Sequence, residues 1–267
     1  MAHRIDFAGS EGNIVAHRWD PSGDPTRVVV VVHGYAEHGR RYAHLADALT
    51  ADGAVVYAPD HLGHGLSDGT RAYIDEFEHV VDDLATLVGL AEDAHPGRPV
   101  VMIGHSMGGL LTGRFAQRHP SRLAGAGFLG AVIGDWDWAR EVLALPELPP
   151  SDSDPSGMSR DEEAVRAYAE DPLVYHGNYH RRLLEAEVEC LDRYATDVDR
   201  LTLPVLFLHG SEDPFVPWQT SQAAVEAMPS IDKEIHVYEG ARHELVNETN
   251  RDDVIDRIRR WVERVSA

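Results

Sequence analysis

The 267-residue chain is short of several things, and each shortage narrows what it can be. Cys190 is the only cysteine, so no internal disulfide can form. Glu187, Glu189 and Asp192 stand close to it in sequence and disfavour a thiolate, so no reactive role is expected of it. Lys233 is the only lysine, and arginine carries the other positive charges. Acidic residues number 45 against 24 basic ones, a formal net charge of −21 that argues against nucleic acid or an anionic membrane surface as a partner. No run of 18 apolar residues occurs, and Met1-Ala-His-Arg-Ile-Asp6 lacks the apolar core of a signal peptide. A cytoplasmic protein is the expectation. No internal repeat or low-complexity tract is present, which leaves room for one globular domain with an insertion.

What is there begins with residues 100–112, Val-Val-Met-Ile-Gly-His-Ser106-Met-Gly-Gly-Leu-Leu-Thr. Four apolar residues predict a buried strand, and the pattern after Gly108 fits a helix. A Gly-x-Ser-x-Gly at a strand-to-helix junction predicts a nucleophile elbow, in which a sharp turn lifts the serine hydroxyl out of the sheet. Residues 28–32 are five consecutive valines, the mark of a strand buried on both faces. Residues 54–57, 127–132, 205–208 and 234–238 predict further strands, and residues 3–8 and 13–19 an edge hairpin. Helices are expected over 40–51, 77–91 and 219–228, and at the C-terminus, where Asn250 would cap a face bearing Val254, Ile255, Ile258, Trp261, Val262 and Val265. Strands alternating with helices predict an α/β fold with a mostly parallel sheet. From about 134 to 199 the alternation stops: there is a Pro/Ser/Asp-rich piece at 146–157, with short helical stretches around 160–169 and 180–194. The chain therefore divides into a core at 1–133, an inserted cap at 134–199 and a second part of the core at 200–267.

A serine hydroxyl needs a base, and the base needs an orienting acid. In an elbow fold the order is serine, acid, histidine. Asp213 follows the 205–208 strand and His243 follows the next one, so both should reach the sheet edge where Ser106 points. Glu212 competes for the acid position, but Pro214 fixes the turn after Asp213. The oxyanion needs two N–H donors. Met107, next to the nucleophile, should give one, and Tyr35, in the loop after the valine strand, the other. His61 and His64 sit in a glycine-rich loop without a helix to align them, so no metal site is expected. No Gly-x-Gly-x-x-Gly opens a helix there either, which removes the phosphate-cradle reading.

These motifs together resemble the α/β-hydrolase superfamily, in its monoacylglycerol lipase and lysophospholipase branch. The likeness rests on His33-Gly-Tyr-Ala-Glu-His-Gly-Arg-Arg-Tyr42, Asp60-His-Leu-Gly-His-Gly-Leu-Ser-Asp-Gly69, Gly104-His-Ser-Met-Gly-Gly109 and Asp171-Pro-Leu-Val-Tyr-His-Gly177. It runs from about Arg27 to the C-terminus. It implies a cofactor-free serine esterase that acts on a small monoglyceride-like lipid, with the triad at Ser106, Asp213 and His243 and the oxyanion donors at Tyr35 and Met107. It also implies an acyl tunnel under the cap, lined by Trp136, Trp138, Leu143 and Leu145, with Glu37 near the polar leaving group and transient lipid-surface contact through the cap. Where relatives carry a Ser-Pro-like segment, this chain has Gly130-Ala-Val-Ile-Gly-Asp-Trp-Asp-Trp138, and its cap is unusually acidic. A lysophospholipase, a broad or xenobiotic carboxylesterase and a perhydrolase share the same triad. A binding protein on this scaffold would normally have lost one of its members.

Overall fold

The computed structural model describes residues 2–151 and 154–267, so Asp152 and Ser153 of the Pro/Ser/Asp-rich piece lie outside the described residues. Its frame is an eight-stranded sheet in the order β1-β2-β4-β3-β5-β6-β7-β8. The strands are β1 (His3–Ala8), β2 (Asn13–Trp19), β3 (Arg27–Val32), β4 (Ala54–Pro59), β5 (Val100–His105), β6 (Gly125–Leu129), β7 (Val205–Gly210) and β8 (Lys233–Tyr238). The β1–β2 hairpin pairs antiparallel and joins β4 antiparallel, and every pairing from β4 to β8 is parallel. Strands β3, β4, β5, β6 and β7 are buried along nearly their whole length, as strands covered on both faces must be.

Helices α1 (Ala43–Ala51) and α8 (Arg251–Val265) cover one face, where Leu45, Leu49, Ile258 and Trp261 pack on Val29, Val31, Val101 and Leu206. Helices α2 (Phe77–Ala94), α3 (Met107–Arg118) and α7 (Trp218–Ala227) cover the other, with Leu84, Leu110 and Val225 in its core. Two local expectations shift. The helix expected over 40–51 opens as a 3-10 turn at Gly39–Tyr42, and β6, expected over 127–132, runs from Gly125 to Leu129. Asn250 does sit at the N-cap of α8, but its side chain makes no capping bond there. Its Oδ1 accepts from Arg160 Nη2 at 3.0 Å instead.

Between β6 and β7 lie α4 (Asp137–Leu143), α5 (Glu162–Glu170) and α6 (Arg181–Thr196), with no strand among the described residues. Helix α5 starts where Asp161 accepts from the backbone of Glu163 and Ala164. Helix α6 buries Leu183, Leu184, Ala186, Cys190, Leu191 and Tyr194 at helical spacing, and this stripe seats it on α3. No helix is long and apolar enough to cross a membrane among the described residues. Because β3, β5, β7 and β8 run parallel, the loops after Val32, His105, Gly210 and Tyr238 all leave the same edge of the sheet, and the chemistry gathers there.

Candidate active site

At the end of β5 the backbone of Ser106 takes φ 54° and ψ −122°, a conformation that L-residues rarely adopt. Two glycines make the turn possible. A Cβ on Gly104 would come within 2.1 Å of Gly108 O, and one on Gly108 within 2.2 Å of Val32 O. The turn is pinned by Ser106 N–H donating to Leu129 O at 3.0 Å, and Ser106 O accepts from Gly109 N at 2.9 Å and Val132 N at 3.2 Å. Met107 is the first residue of α3, so its N–H belongs to the helix's unpaired, electropositive N-terminal turn.

Across the edge, the loop after β8 brings His243 to Asp213 from the loop after β7. His243 Nδ1 bonds Asp213 Oδ2 at 2.7 Å. Since a carboxylate only accepts, Nδ1 carries the proton, and Nε2 is left as the free base. Asp213 Oδ1 accepts from the backbone of Phe215 at 2.8 Å and Val216 at 3.0 Å, which locks the carboxylate in place. Burial raises the Asp213 pKa, but the charge and hydrogen bond of His243, His209 and the Phe215 N–H offset it, so the group stays below the ordinary carboxylate range. Burial lowers that of His243, yet the charge and hydrogen bond of Asp213, backed by Glu244 and Glu37, leave it raised. Glu212, one residue away, is exposed.

The loop after β3 is tied by Glu37, the residue that the resemblance places near the leaving group. Glu37 lines the Ser106 cavity, but its carboxylate is taken up by the protein: Oε1 accepts from Gly34 N at 2.8 Å, from the Tyr42 hydroxyl at 2.8 Å and from His105 Nδ1 at 3.0 Å. Oε2 accepts from Arg41 Nη1 at 2.8 Å. Burial would raise its pKa, but the hydrogen bond from His105 and the Arg41 guanidinium hold it well below the ordinary range. Glu37 thus fixes Gly34, the residue before the expected oxyanion donor Tyr35. His105 extends the network, its Nε2 facing His243 O at 3.2 Å, and Arg41 forks onto Glu244 at 2.5 and 2.8 Å. Neither His105, Arg41 nor Glu244 was singled out in the sequence. One arginine in a four-residue 3-10 turn carries no periodic signal, and Glu244 lies 203 residues further along the chain.

Ser106, His243, Tyr35 and Glu37 border one cavity of about 110 Å³, and Trp136, Tyr168 and Tyr179 from the segment between β6 and β7 complete its wall. Trp136, Tyr179 and Phe215 also line a second cavity of about 270 Å³ with Trp138, Leu148 and Leu184. Trp136 is anchored through Nε1 to Phe215 O at 3.1 Å. Two of the four expected tunnel residues do not take part. Leu143, the last residue of α4, packs against the core, and Leu145, two residues past the helix end, is exposed, so neither lines a cavity. Tyr168 and Tyr179 line the site unannounced: Tyr168 is the single buried residue of the short α5 and Tyr179 lies in the loop before α6, so neither belongs to an apolar stripe. Tyr35 stacks its ring on Tyr179 at 4.3 Å. His61 donates twice to His33, from its backbone N–H to Nε2 at 3.0 Å and from its own Nε2 to the carbonyl oxygen at 3.2 Å, and His64 Nδ1 bonds Leu62 O at 2.9 Å, so these buried rings brace the loops after β3 and β4. Glu11, Asp75 and His79 form a group close enough to hold a cation, but they line neither cavity.

Comparison with known proteins agrees with this geometry. Residues 23–250 match the family model Hydrolase_4, described as serine aminopeptidase, S33. The chain is 36% identical to a monoacylglycerol lipase of Mycolicibacterium smegmatis over 96% of its own length and 95% of that protein. It is 33% identical to the monoglyceride lipase of Homo sapiens, over 93% of its length and 86% of the human protein. Among solved structures, the monoacylglycerol lipase of Paleococcus ferrophilus superposes with a TM-score of 0.80 at 27% identity, with both chains fully covered. A soluble variant of the Saccharomyces cerevisiae monoglyceride lipase reaches 0.87 at 21% identity over 100% of this chain and 96% of that one, a likeness of fold. With the family model covering most of the sequence and the elbow, sheet order and loop positions in place, the chain belongs to the Hydrolase_4 family of α/β-hydrolases.

Proposed function

We propose that the protein is a serine ester hydrolase that releases a fatty acid from monoacylglycerols. Ser106 Oγ attacks the ester carbonyl, and His243 Nε2 takes its proton and returns it to the leaving alkoxide. Asp213 holds the imidazole in the tautomer with Nε2 free and stabilises the imidazolium that forms. The N–H groups of Tyr35 and Met107 hold the oxyanion, each contributing about 3 kcal/mol in the transition state. Water then repeats the sequence on the acyl-enzyme. The steps need no cofactor. The observation that carries the reading is the 2.7 Å Asp213–His243 bond on the wall of the cavity that a strained elbow serine also lines.

The choice of monoacylglycerol draws on the relatives named above and on the second cavity, whose Trp138, Leu148 and Leu184 suit an acyl chain that leaves the carbonyl past Trp136. In this reading residues 134–199 act as the cap. Trp138 (44% exposed) and Phe215 (37% exposed) lie on the wall of the second cavity and are the natural points of contact with a lipid surface.

A fluorophosphonate probe with peptide mapping, followed by a chain-length series of monoacylglycerols, tests the reading. Labelling at Ser106 with turnover of long-chain monoacylglycerols is expected, and Ser106→Ala should lose both while keeping the fold. Wild-type turnover in Ser106→Ala would overturn the assignment. Labelling with turnover only on short or aryl esters would keep the mechanism and discard the glyceride.

A further inference from the structure

Helix α6 carries its charges on two faces that differ in kind. On the outer face Arg182 pairs with Glu189 at 2.8 Å. Glu187 points the other way, among the buried residues of the stripe, and is 1% exposed. It lines the cavity beside Ser106, and its Oε2 has no hydrogen-bond partner among the described residues. In the same cavity the Tyr35 hydroxyl, also buried, has none either. A buried polar group without a partner is costly, and proteins rarely keep one without a use. Two on the wall of one reaction cavity, in a chain that could carry apolar residues at both places, ask for a ligand.

We propose that Glu187 and the Tyr35 hydroxyl form a polar subsite in the Ser106 cavity that holds a hydroxyl group of the substrate. The proposal rests on the reading of Ser106 as the nucleophile of an ester hydrolase. The chemistry of the two groups selects the ligand. Desolvation, with no cation or donor to counter it, pushes the Glu187 carboxyl up to about 8, so near neutrality much of it keeps its proton and can both donate and accept. Tyr35, held neutral by burial, also donates and accepts. A hydroxyl has the same double capacity and completes both. A cationic ligand would find little negative charge at Glu187, and a bare alkyl chain would leave both groups unpaired. Leu184, one turn earlier on the same face of α6, lines the second cavity, so the subsite stands near the junction of the two. The hydroxyl can therefore come from the alcohol half of the ester or from a carbon of the acyl chain close to the carbonyl.

The test compares kcat/KM for three esters of one chain length: the 1-acylglycerol, the propyl ester of the same acid, and the propyl ester of its hydroxylated counterpart. Wild type, Glu187→Leu, Glu187→Gln and Tyr35→Phe are measured on each. Wild type should favour at least one hydroxylated ester over the plain one, and Glu187→Leu and Tyr35→Phe should each cut that preference about tenfold. Glu187→Gln, which keeps a donor and an acceptor, should retain most of it. A fall in the glycerol-to-propyl ratio assigns the hydroxyl to the alcohol, and a fall in the hydroxyacyl-to-acyl ratio assigns it to the acyl chain. Both ratios unchanged in Tyr35→Phe and in whichever Glu187 variant folds would overturn the subsite. A wild-type enzyme that neither labels at Ser106 nor cleaves any of the three esters would instead remove the ester reading, and the subsite with it.

Discussion

His243 sits between groups that pull its proton affinity in opposite directions, and the balance fixes how the enzyme should answer to pH. Burial favours the neutral ring, but Asp213 at 2.7 Å favours the imidazolium, and the ring ends with a raised pKa. A base must be neutral to accept the serine proton, so kcat/KM should climb with pH through a value above the ordinary one for histidine. Asp213→Asn removes the charge and the tautomer constraint together. It should lower kcat about 10³- to 10⁴-fold, and the residual activity should show its acid limb at lower pH than wild type. An unmoved limb in the pH profile of that variant would mean that another group sets it. Glu187 gives a second, independent pH effect, on stability. Its folded value of about 8 exceeds the ordinary 4.5, so the native state holds a proton that the unfolded state has lost between these limits. The contribution is fully present below about 4.5 and is lost as pH rises through about 8. Glu187→Gln has no such proton. Its melting temperature minus that of wild type should grow from pH 5 to pH 8, and a constant difference would show that the carboxyl does not titrate as the burial implies.

At the scale of the element, the elbow is where sequence and geometry bind each other most tightly. The motif 104–108 was legible because its glycines answer a steric demand that any folded copy must meet, and the Cβ distances above are that demand in numbers. Gly108→Ala would drive a methyl into the backbone oxygens of Val32 and His33, which cannot swing aside as a side chain can. It should cost about 3 kcal/mol or more of stability and abolish fluorophosphonate labelling. Gly89→Ala is the contrasting case. It lies within α2, where an added Cβ meets nothing closer than Arg122 Nη2 at 3.7 Å, and it should stabilise the protein by roughly 0.5–1 kcal/mol in a thermal melt. The same distinction explains what the sequence withheld. Valine runs and the 3.6-residue period of α2 and α8 announce themselves locally. Helix α4 is seven residues long and begins in Asp135-Trp-Asp-Trp138, too short and too aromatic to show a period. With α4 unread, the side-chain directions of Leu143 and Leu145 were out of reach. The roles of His105, Arg41 and Glu244 depend on partners up to 203 residues apart, and only the closed fold brings those together.

For the molecule as a whole, the net charge of −21 sets the terms on which it meets its substrate. Many of its arginines are already engaged: Arg114 with Glu78 and Asp197, Arg259 with Asp52, Arg264 with Asp232, Arg193 with Glu76. Pairing cancels charge locally but leaves the excess of carboxylates facing solvent, and that excess acts at a distance on anything charged. If substrate arrives from a lipid surface, apolar contact through Trp138 and Phe215 must work against this field whenever the surface is anionic. The field is screened with a Debye length of about 10 Å at 0.1 M salt and about 3 Å at 1 M. Hydrolysis of a monoacylglycerol in zwitterionic vesicles should therefore exceed that in vesicles containing 30% anionic lipid, and the gap should close as potassium chloride is raised to 1 M. Trp138→Ala should slow both vesicle reactions and leave a dispersed short-chain ester less affected, because it removes the apolar contact and leaves the charge. Equal rates on the two vesicle types at low salt would mean that substrate reaches Ser106 from solution, and the acidic surface would then have no part in its delivery.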